Sequence, residues 1–135
     1  SHNCKSHDLK IANKIFADLG RIFEIKKESL MDAITAISGS GPAYVAYIVE
    51  VILKTANSLG ISKALAKQLI FQTFIGTLKL LEKNNFNTKE LILRVASKKG
   101  TTQKALEVFR KYKFENIIQK AIISAFRRAK ELSHK

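Results

Sequence analysis

The segment after Pro42 constrains the fold most, because as a helix it would be apolar around nearly its whole circumference. Its apolar residues, before Gly60 ends the run, are Tyr44, Val45, Tyr47, Ile48, Val51, Ile52, Leu53, Ala56 and Leu59. A helix that is apolar on every side is buried on every side. A chain of 135 residues has little room to surround such a helix, so a partner subunit is expected to supply the missing cover.

The turn before this helix reads Ser38-Gly-Ser-Gly-Pro-Ala-Tyr44 and is suited to start it. Gly39 and Gly41 permit close approaches that a Cβ forbids, and Pro42 fits the first position of a helix. Ser40 or Gly41 is the expected N-cap. From these residues alone, the turn is either an ordinary loop or a contact surface.

Apolar residues at helical spacing predict helices along the rest of the chain. The expected segments are 8–19, from Ser29 into the turn, from Ser62 to Leu81, Thr88 to Val95, 101–109 and about 115–132. Arg21-Ile-Phe-Glu-Ile-Lys26 suits a short strand, but nothing later in the sequence offers it a partner. The expected fold is all-α, with an N-terminal helix and strand left over from a sheet domain.

A second unusual stretch, Ser97-Lys-Lys-Gly-Thr-Thr-Gln103, opens one of these helices. Free N–H groups at a helix start, two hydroxyls and two lysines together can bind a carboxylate or phosphate. The same residues also fit a plain threonine N-cap after a solvated lysine pair. Both interpretations stay open on the residues themselves.

The chain is strongly basic, with 24 lysines and arginines against 11 acidic residues and a net charge of +13. Such a charge favours nucleic-acid binding through phosphate neutralisation. The cations are mostly lysines scattered along the chain, which is more typical of a solvated surface. Nucleic-acid binding therefore stays an alternative, one that predicts a steep salt dependence of affinity.

Several classes of site find no support in the sequence. Cys4 has no cysteine partner, and His2, His7 and His134 lie near the termini, so we expect no disulfide, no metal site and no catalytic histidine. Glycine-rich nucleotide-binding motifs are missing, and no apolar run approaches the roughly 18 residues of a membrane span. A soluble cytoplasmic protein is expected, and Ser1-His2-Asn3 is read as either native sequence or an expression remnant.

Three stretches, Asp32 to Tyr44, Val95-Ala-Ser-Lys-Lys-Gly-Thr-Thr102 and Arg127-Arg-Ala-Lys-Glu-Leu132, closely resemble the C-terminal half of pyrroline-5-carboxylate reductases. The resemblance implies reduction of 1-pyrroline-5-carboxylate to L-proline with NAD(P)H, the last step of proline biosynthesis. It implies an intertwined helical homodimer, and leaves open whether dimers assemble further. Residues 1–27 would be the tail of a Rossmann domain and 28–135 the dimerisation and substrate-binding domain. NADP or NAD would be bound by that Rossmann domain, so the chain alone is expected to bind no cofactor and to be inactive.

The resemblance also assigns roles to residues. Thr102 is the expected catalytic residue, and the positions that match the substrate-binding residues are Glu28, Ser97, Gly100, Thr101 and Thr102. The turn that lines the site and packs the dimer comprises Ser38, Gly39, Ser40, Gly41, Pro42 and Tyr44. Arg94 stands where the family often has a small polar residue that contacts the dinucleotide.

The sequence departs from the family at the second turn, where the family reads Ser-Pro-Gly-Gly and this chain has Lys98-Lys99 in place of Pro-Gly. The departure removes the fixed φ of proline and one permissive glycine. An inactive helical dimer module, or the remnant of a gene, is therefore the alternative to a working reductase half.

Overall fold

A computed structural model describes residues 6–134 of the chain, and within that range the fold is entirely helical. Cys4 and the Ser1-His2-Asn3 segment lie outside the described residues. The helices are α1 (Ser6–Phe16), α2 (Met31–Ile34), α3 (Gly41–Ser58), α4 (Lys63–Lys83), α5 (Thr88–Val95), α6 (Thr101–Lys111) and α7 (Phe114–Ser133). The all-α prediction is confirmed, and the predicted helix boundaries agree to within a few residues.

Short helical turns extend two of these helices. One 3₁₀ turn, Ala17–Leu19, follows α1, and another, Glu28–Leu30, leads into α2. A π-helical turn, Thr35–Gly39, then joins α2 to α3, with the Ser40 N–H donating to the Thr35 carbonyl at 2.8 Å. The sequence predicted a plain helix here, whereas the structure inserts the wider turn that often marks functional sites in helices.

The strand predicted for residues 21–26 does not form, and no strand lies within residues 6–134. These residues are exposed irregular chain. A strand needs a neighbour to receive its backbone hydrogen bonds, and the described part of the chain offers none. The segment is instead joined to α4 by an exposed ion pair, in which Arg21 Nη2 lies 3.2 Å from Glu82 Oε1.

Helix α3 packs against α4, and the C-terminal half of the chain folds back so that α7 packs against α2 and the π-turn. The reversal between α3 and α4 depends on Gly60, whose φ of 86° is accessible to glycine. The Gly60 N–H donates to the Asn57 carbonyl and the Ile61 N–H to the Ala56 carbonyl, the two bonds of a Schellman motif. The hydroxyl of Ser62 then caps α4 by accepting from the Leu65 N–H at 3.4 Å.

Very little of the apolar surface is buried within one chain. Among the described residues, only Ala36, Ala66 and Ile70 form a buried hydrophobic core. The accessible surface is 12121 Å², whereas a compact monomer of this mass would expose about 7,100 Å². On α3, Tyr47 is 68% exposed and Val51 48%. The fold of one chain thus leaves uncovered the helix that the sequence predicted to be buried on all sides.

The region Glu28–Ser58 is long and apolar enough to cross a membrane by length and composition, and an 18-residue stretch within it has a mean hydropathy of 1.4. This criterion does not contradict the sequence expectation, which concerned a continuous apolar run. The criterion averages over the polar turn before α3 and tolerates its few charges, so it admits a segment that is not one continuous apolar run. An apolar helix that packs against another protein passes the same test, so this finding alone is weak evidence for a membrane.

Candidate functional site

Two turns carry the residues that the sequence assigned to a site, and they lie on different parts of the described fold. The first is the π-turn, which packs against α2 and α7, together with the start of α3, which packs against the π-turn. The second is the Ser97–Gly100 turn and the start of α6, a helix that packs against α7. Within the described part of one chain, these two turns do not pack extensively against each other.

The first turn is held by a tyrosine. The hydroxyl of Tyr44 donates to the carbonyl oxygen of Ala36 at 3.1 Å, which links the first turns of α3 to the π-turn. Ser40 is the N-cap residue of α3, as predicted, but its side chain makes no capping bond. Ser38, Gly39 and Pro42 are exposed, whereas Ser40, Gly41 and Tyr44 are half-buried.

The second turn is a tight reversal closed by a backbone bond from the Gly100 N–H to the Ser97 carbonyl, 2.9 Å long. Lys99, its third residue, has a φ of 62°, the left-handed conformation that defines position three of a type II turn. Proline and glycine are the preferred central residues of such a turn. The two lysines have therefore kept the backbone geometry that the family's Pro-Gly pair favours.

Gly100 is required by a close approach rather than by its φ. A Cβ at this position would collide with the Ser97 hydroxyl oxygen and lie 3.1 Å from the Ser97 carbonyl oxygen. Gly100 is also the N-cap of α6, and it has no side chain to cap the helix. The predicted alternative of a threonine N-cap is therefore wrong, because Thr101 and Thr102 are the first two residues inside the helix.

The first N–H groups of α6 precede the first intrahelical hydrogen bond. The Lys104 N–H donates to the Gly100 carbonyl at 3.3 Å, so the N–H groups of Thr101, Thr102 and Gln103 precede the first such bond. Together with the positive end of the helix dipole, these donors favour an anion. Thr102 is half-buried, and Thr101 is exposed.

Gln103 is a residue that the sequence analysis missed. Its side-chain oxygen accepts from the Lys99 N–H at 2.7 Å, and its amide nitrogen donates to Glu107 Oε1 at 3.3 Å. Lys104 Nζ lies 2.9 Å from Glu107 Oε2 and, through this hydrogen bond, lowers the pKa of the Glu107 carboxyl. A glutamine at the third helical position is a known capping signal and could have revealed this contact.

The remaining predicted residues are not part of the second turn. Glu28 is exposed and begins the 3₁₀ turn that leads into α2. Arg94 is exposed and lines an open cleft of about 250 Å³ with Leu80, Asn84, Leu91 and Val95. Within residues 6–134, no group of three or more histidine, cysteine, aspartate or glutamate side chains could hold a metal ion.

Comparison with known proteins gives a consistent match. The family model "Pyrroline-5-carboxylate reductase dimerisation" matches residues 28–132. The chain is 37% identical over 124 residues to the pyrroline-5-carboxylate reductase of Synechocystis sp., covering 92% of this chain and 46% of that protein. It is 36% identical over 129 residues to pyrroline-5-carboxylate reductase 1 of Bacillus subtilis, covering 95% of this chain and 43% of that protein.

The fold matches solved structures of the same enzymes. The crystal structure of Plasmodium falciparum pyrroline carboxylate reductase with NADP bound superposes with a TM-score of 0.93 and 34% identity, covering 97% of this chain and 52% of that one. The enzyme from Streptococcus pyogenes gives a TM-score of 0.90 and 25% identity, covering 95% of this chain and 49% of that one. The chain thus spans about half the length of the relatives that it matches.

Proposed function

The chain belongs to the pyrroline-5-carboxylate reductase family, and we propose that it is the dimerisation and substrate-binding part of an enzyme that reduces 1-pyrroline-5-carboxylate to L-proline. The observation that carries this proposal is the start of α6. There the closed Ser97–Gly100 turn leads into N–H groups that precede the first intrahelical hydrogen bond. This feature lies within the matched residues 28–132.

In this proposal the start of α6 binds the carboxylate of the pyrroline ring. Oxygen atoms of a carboxylate can accept from consecutive N–H groups at a helix start, and the dipole adds to their attraction. Thr102 is a half-buried residue whose own N–H is one of these donors, and its hydroxyl is the proposed catalytic contact. Thr101 supplies a second N–H and hydroxyl, Gly100 allows the close approach of the turn, and Ser97 shapes it.

The enzyme's chemistry then requires orientation more than side-chain reactivity. NAD(P)H would supply a hydride to the imine carbon of the substrate, and the ring nitrogen would take up one proton. By holding the carboxylate, the residues of this chain would fix the position of the ring and its imine carbon relative to the nicotinamide and exclude alternative orientations. No residue of the chain is proposed to act as a nucleophile.

The nicotinamide nucleotide is proposed to bind elsewhere in the enzyme. Residues 6–134 contain no strand followed by a glycine-rich turn, so they do not fit the pyrophosphate of a dinucleotide. We assign NADP or NAD binding to a Rossmann domain whose tail is residues 1–27, and the family match that begins at residue 28 supports this boundary. Arg94 is kept as a proposed contact to the nucleotide.

A second copy of the chain is proposed to complete the fold and the site. One chain exposes roughly 5,000 Å² more surface than a compact monomer of its size, which exceeds the roughly 1,000 to 2,500 Å² that each partner of a typical obligate dimer buries. The π-turn with Ser38, and the α6 turn with Thr102, do not pack together within one chain. We propose that dimer formation brings these turns and Glu28 around one substrate, and that the enzyme works in the cytoplasm.

A titration with the reaction product tests the proposed substrate site directly. L-proline added to the ¹⁵N-labelled chain is expected to shift the amide resonances of Gly100, Thr101 and Thr102 most. Pyrrolidine, which has the ring and the nitrogen but no carboxylate, is the matched control and is expected to leave these three resonances in place. Equal shifts with both compounds, or shifts confined to other parts of the chain, would contradict the proposal.

A further inference from the structure

The Ser97–Gly100 turn keeps its shape without the residues that usually stabilise such a turn. Lys99 has a φ of 62°, a conformation that an L residue with a side chain rarely adopts. Its neighbour Lys98 lacks the fixed φ of a proline, so the turn has lost rigidity at both central positions. Some other interaction in the structure must therefore select this backbone conformation from those open to two lysines.

The side chain of Gln103 makes the interaction that fits this role. Its oxygen accepts a short hydrogen bond from the N–H of Lys99, 2.7 Å long. That N–H belongs to the residue with the unfavourable φ, so the bond is made where the backbone needs support. Gln103 is half-buried, whereas its bond to the Lys99 N–H is exposed to solvent.

Glu107 determines which way the Gln103 amide faces. An ionised carboxylate only accepts hydrogen bonds, so the amide nitrogen must point toward Glu107, where the distance is 3.3 Å. The amide oxygen is then left to face Lys99. Lys104, 2.9 Å from the other carboxylate oxygen, holds Glu107 in place. Four residues thus form one chain of bonds from the first turns of α6 back to the loop.

We propose that Gln103 is a positioning residue for the carboxylate-binding turn, and that it replaces the conformational restriction of a Pro-Gly pair. The inference rests on the proposed function of the α6 start. By occupying the Lys99 N–H, Gln103 leaves the N–H groups of Thr101 and Thr102 as the donors for the ligand. The Lys104 pair also offsets the negative charge of Glu107, which would otherwise weaken the attraction of an anion.

Three variants and one control test this role. Gln103→Ala removes the bond to Lys99. Gln103→Glu can still accept from the Lys99 N–H but places a second carboxylate beside Glu107. The exchanged pair Gln103→Glu with Glu107→Gln restores one donor and one acceptor in the reversed order. Gln119→Ala is the control, because Gln119 makes a similar bond of 3.2 Å to Glu115 on α7, far along the chain from the loop.

The readouts are the amide hydrogen exchange of Lys99 and the dissociation constant of L-proline in the ¹⁵N titration. For Gln103→Ala we expect exchange of the Lys99 N–H to accelerate at least tenfold and the dissociation constant to rise at least fivefold. Gln103→Glu is expected to weaken L-proline binding also. The exchanged pair should return the exchange rate of the Lys99 N–H to within about twofold of the original chain but still bind L-proline more weakly, because its carboxylate lies nearer the Thr101 and Thr102 N–H groups. Gln119→Ala should leave both values unchanged.

Each part of the inference can fail separately. Unchanged exchange at Lys99 in Gln103→Ala would show that the bond does not hold the turn. Faster exchange with an unchanged dissociation constant would reduce Gln103 to a structural residue and overturn the positioning role. An original chain that does not respond to L-proline overturns the proposed function and the positioning role with it. In that case the Lys99 exchange still reports on the bond itself.

Discussion

The hydroxyl of Tyr44 lies 3.1 Å from the carbonyl oxygen of Ala36, to which it donates a hydrogen bond across the π-turn. Ala36 is 1% exposed and is one of the few buried residues in the described part of the chain. A wide turn offers its carbonyl groups poorer intrahelical partners than a regular helix does. The tyrosine therefore stabilises the bend through which α2 passes into α3.

Replacing Tyr44 by phenylalanine is expected to lower the free energy of unfolding by about 1 to 2 kcal/mol, because a buried carbonyl loses its donor. Urea unfolding at fixed protein concentration measures the loss. Tyr112→Phe is the control, since Tyr112 is 67% exposed at the end of α6 and is expected to change stability much less. Equal losses in the two variants would show that the Tyr44 bond does not stabilise the turn.

Replacing Lys99 by glycine is expected to raise the free energy of unfolding by about 0.5 to 1 kcal/mol. The left-handed conformation costs a residue with a Cβ roughly 1 to 2 kcal/mol, and the greater entropy of glycine in the unfolded chain cancels about half of that gain. Lys98→Gly is the matched control. Lys98 has no positive φ, so glycine relieves no strain there, and its greater entropy in the unfolded chain lowers the free energy of unfolding. A Lys99→Gly variant no more stable than Lys98→Gly would refute the type II geometry.

The pKa of Glu107 is lowered mainly by its hydrogen bond with Lys104. A carboxyl whose pKa is lower in the folded state stabilises the fold fully above its ordinary value of 4.5, and that stabilisation is lost as the pH falls through the lowered value. In Lys104→Met, the pKa of Glu107 read from its side-chain ¹³C shift is expected to rise toward 4.5. An identical pKa in both proteins would mean that the ion pair does not persist in solution.

The exposed face of α3 predicts that the chain is a dimer at micromolar concentration, with twice the 15.1 kDa mass of the chain in light scattering. Val51→Glu places a charge on that face, where Val51 is 48% exposed in one chain, and is expected to abolish the dimer. Asn57→Glu adds the same charge to an exposed position near the end of α3 and is expected to leave the dimer intact. A helical monomer of the original chain would contradict this prediction.

The helices were predictable because their apolar periodicity, glycine stops and caps are local properties of the sequence. Gly60 and Ser62, for example, indicate the end of α3 and the start of α4, and so the reversal between them. The strand at residues 21–26 was predicted wrongly because strand formation depends on a partner elsewhere in the chain. The π-turn was not predictable, since its stabilising contact from Tyr44 to Ala36 joins residues that no helical pattern distinguishes.

The candidate site was predictable in part. The Gly-Thr-Thr sequence at 100–102 indicated donors at a helix start, and the structure begins α6 at Thr101. The left-handed Lys99 was hidden because lysine gives no signal for a positive φ. Gln103 was missed because its role depends on that hidden geometry. The apolar pattern of α3 indicated a second chain, but no local pattern shows which residues of that chain would complete the proposed site.

The account is tested most directly by reductase activity in a fusion protein. This chain would replace the matching half of the Synechocystis sp. relative, and oxidation of NADPH would be followed with and without 1-pyrroline-5-carboxylate. We predict substrate-dependent oxidation by the fusion, at least a tenfold lower rate in its Thr102→Ala variant, and none by the chain alone. A dimeric fusion that binds NADPH but does not oxidise it when the pyrroline is added would contradict the account.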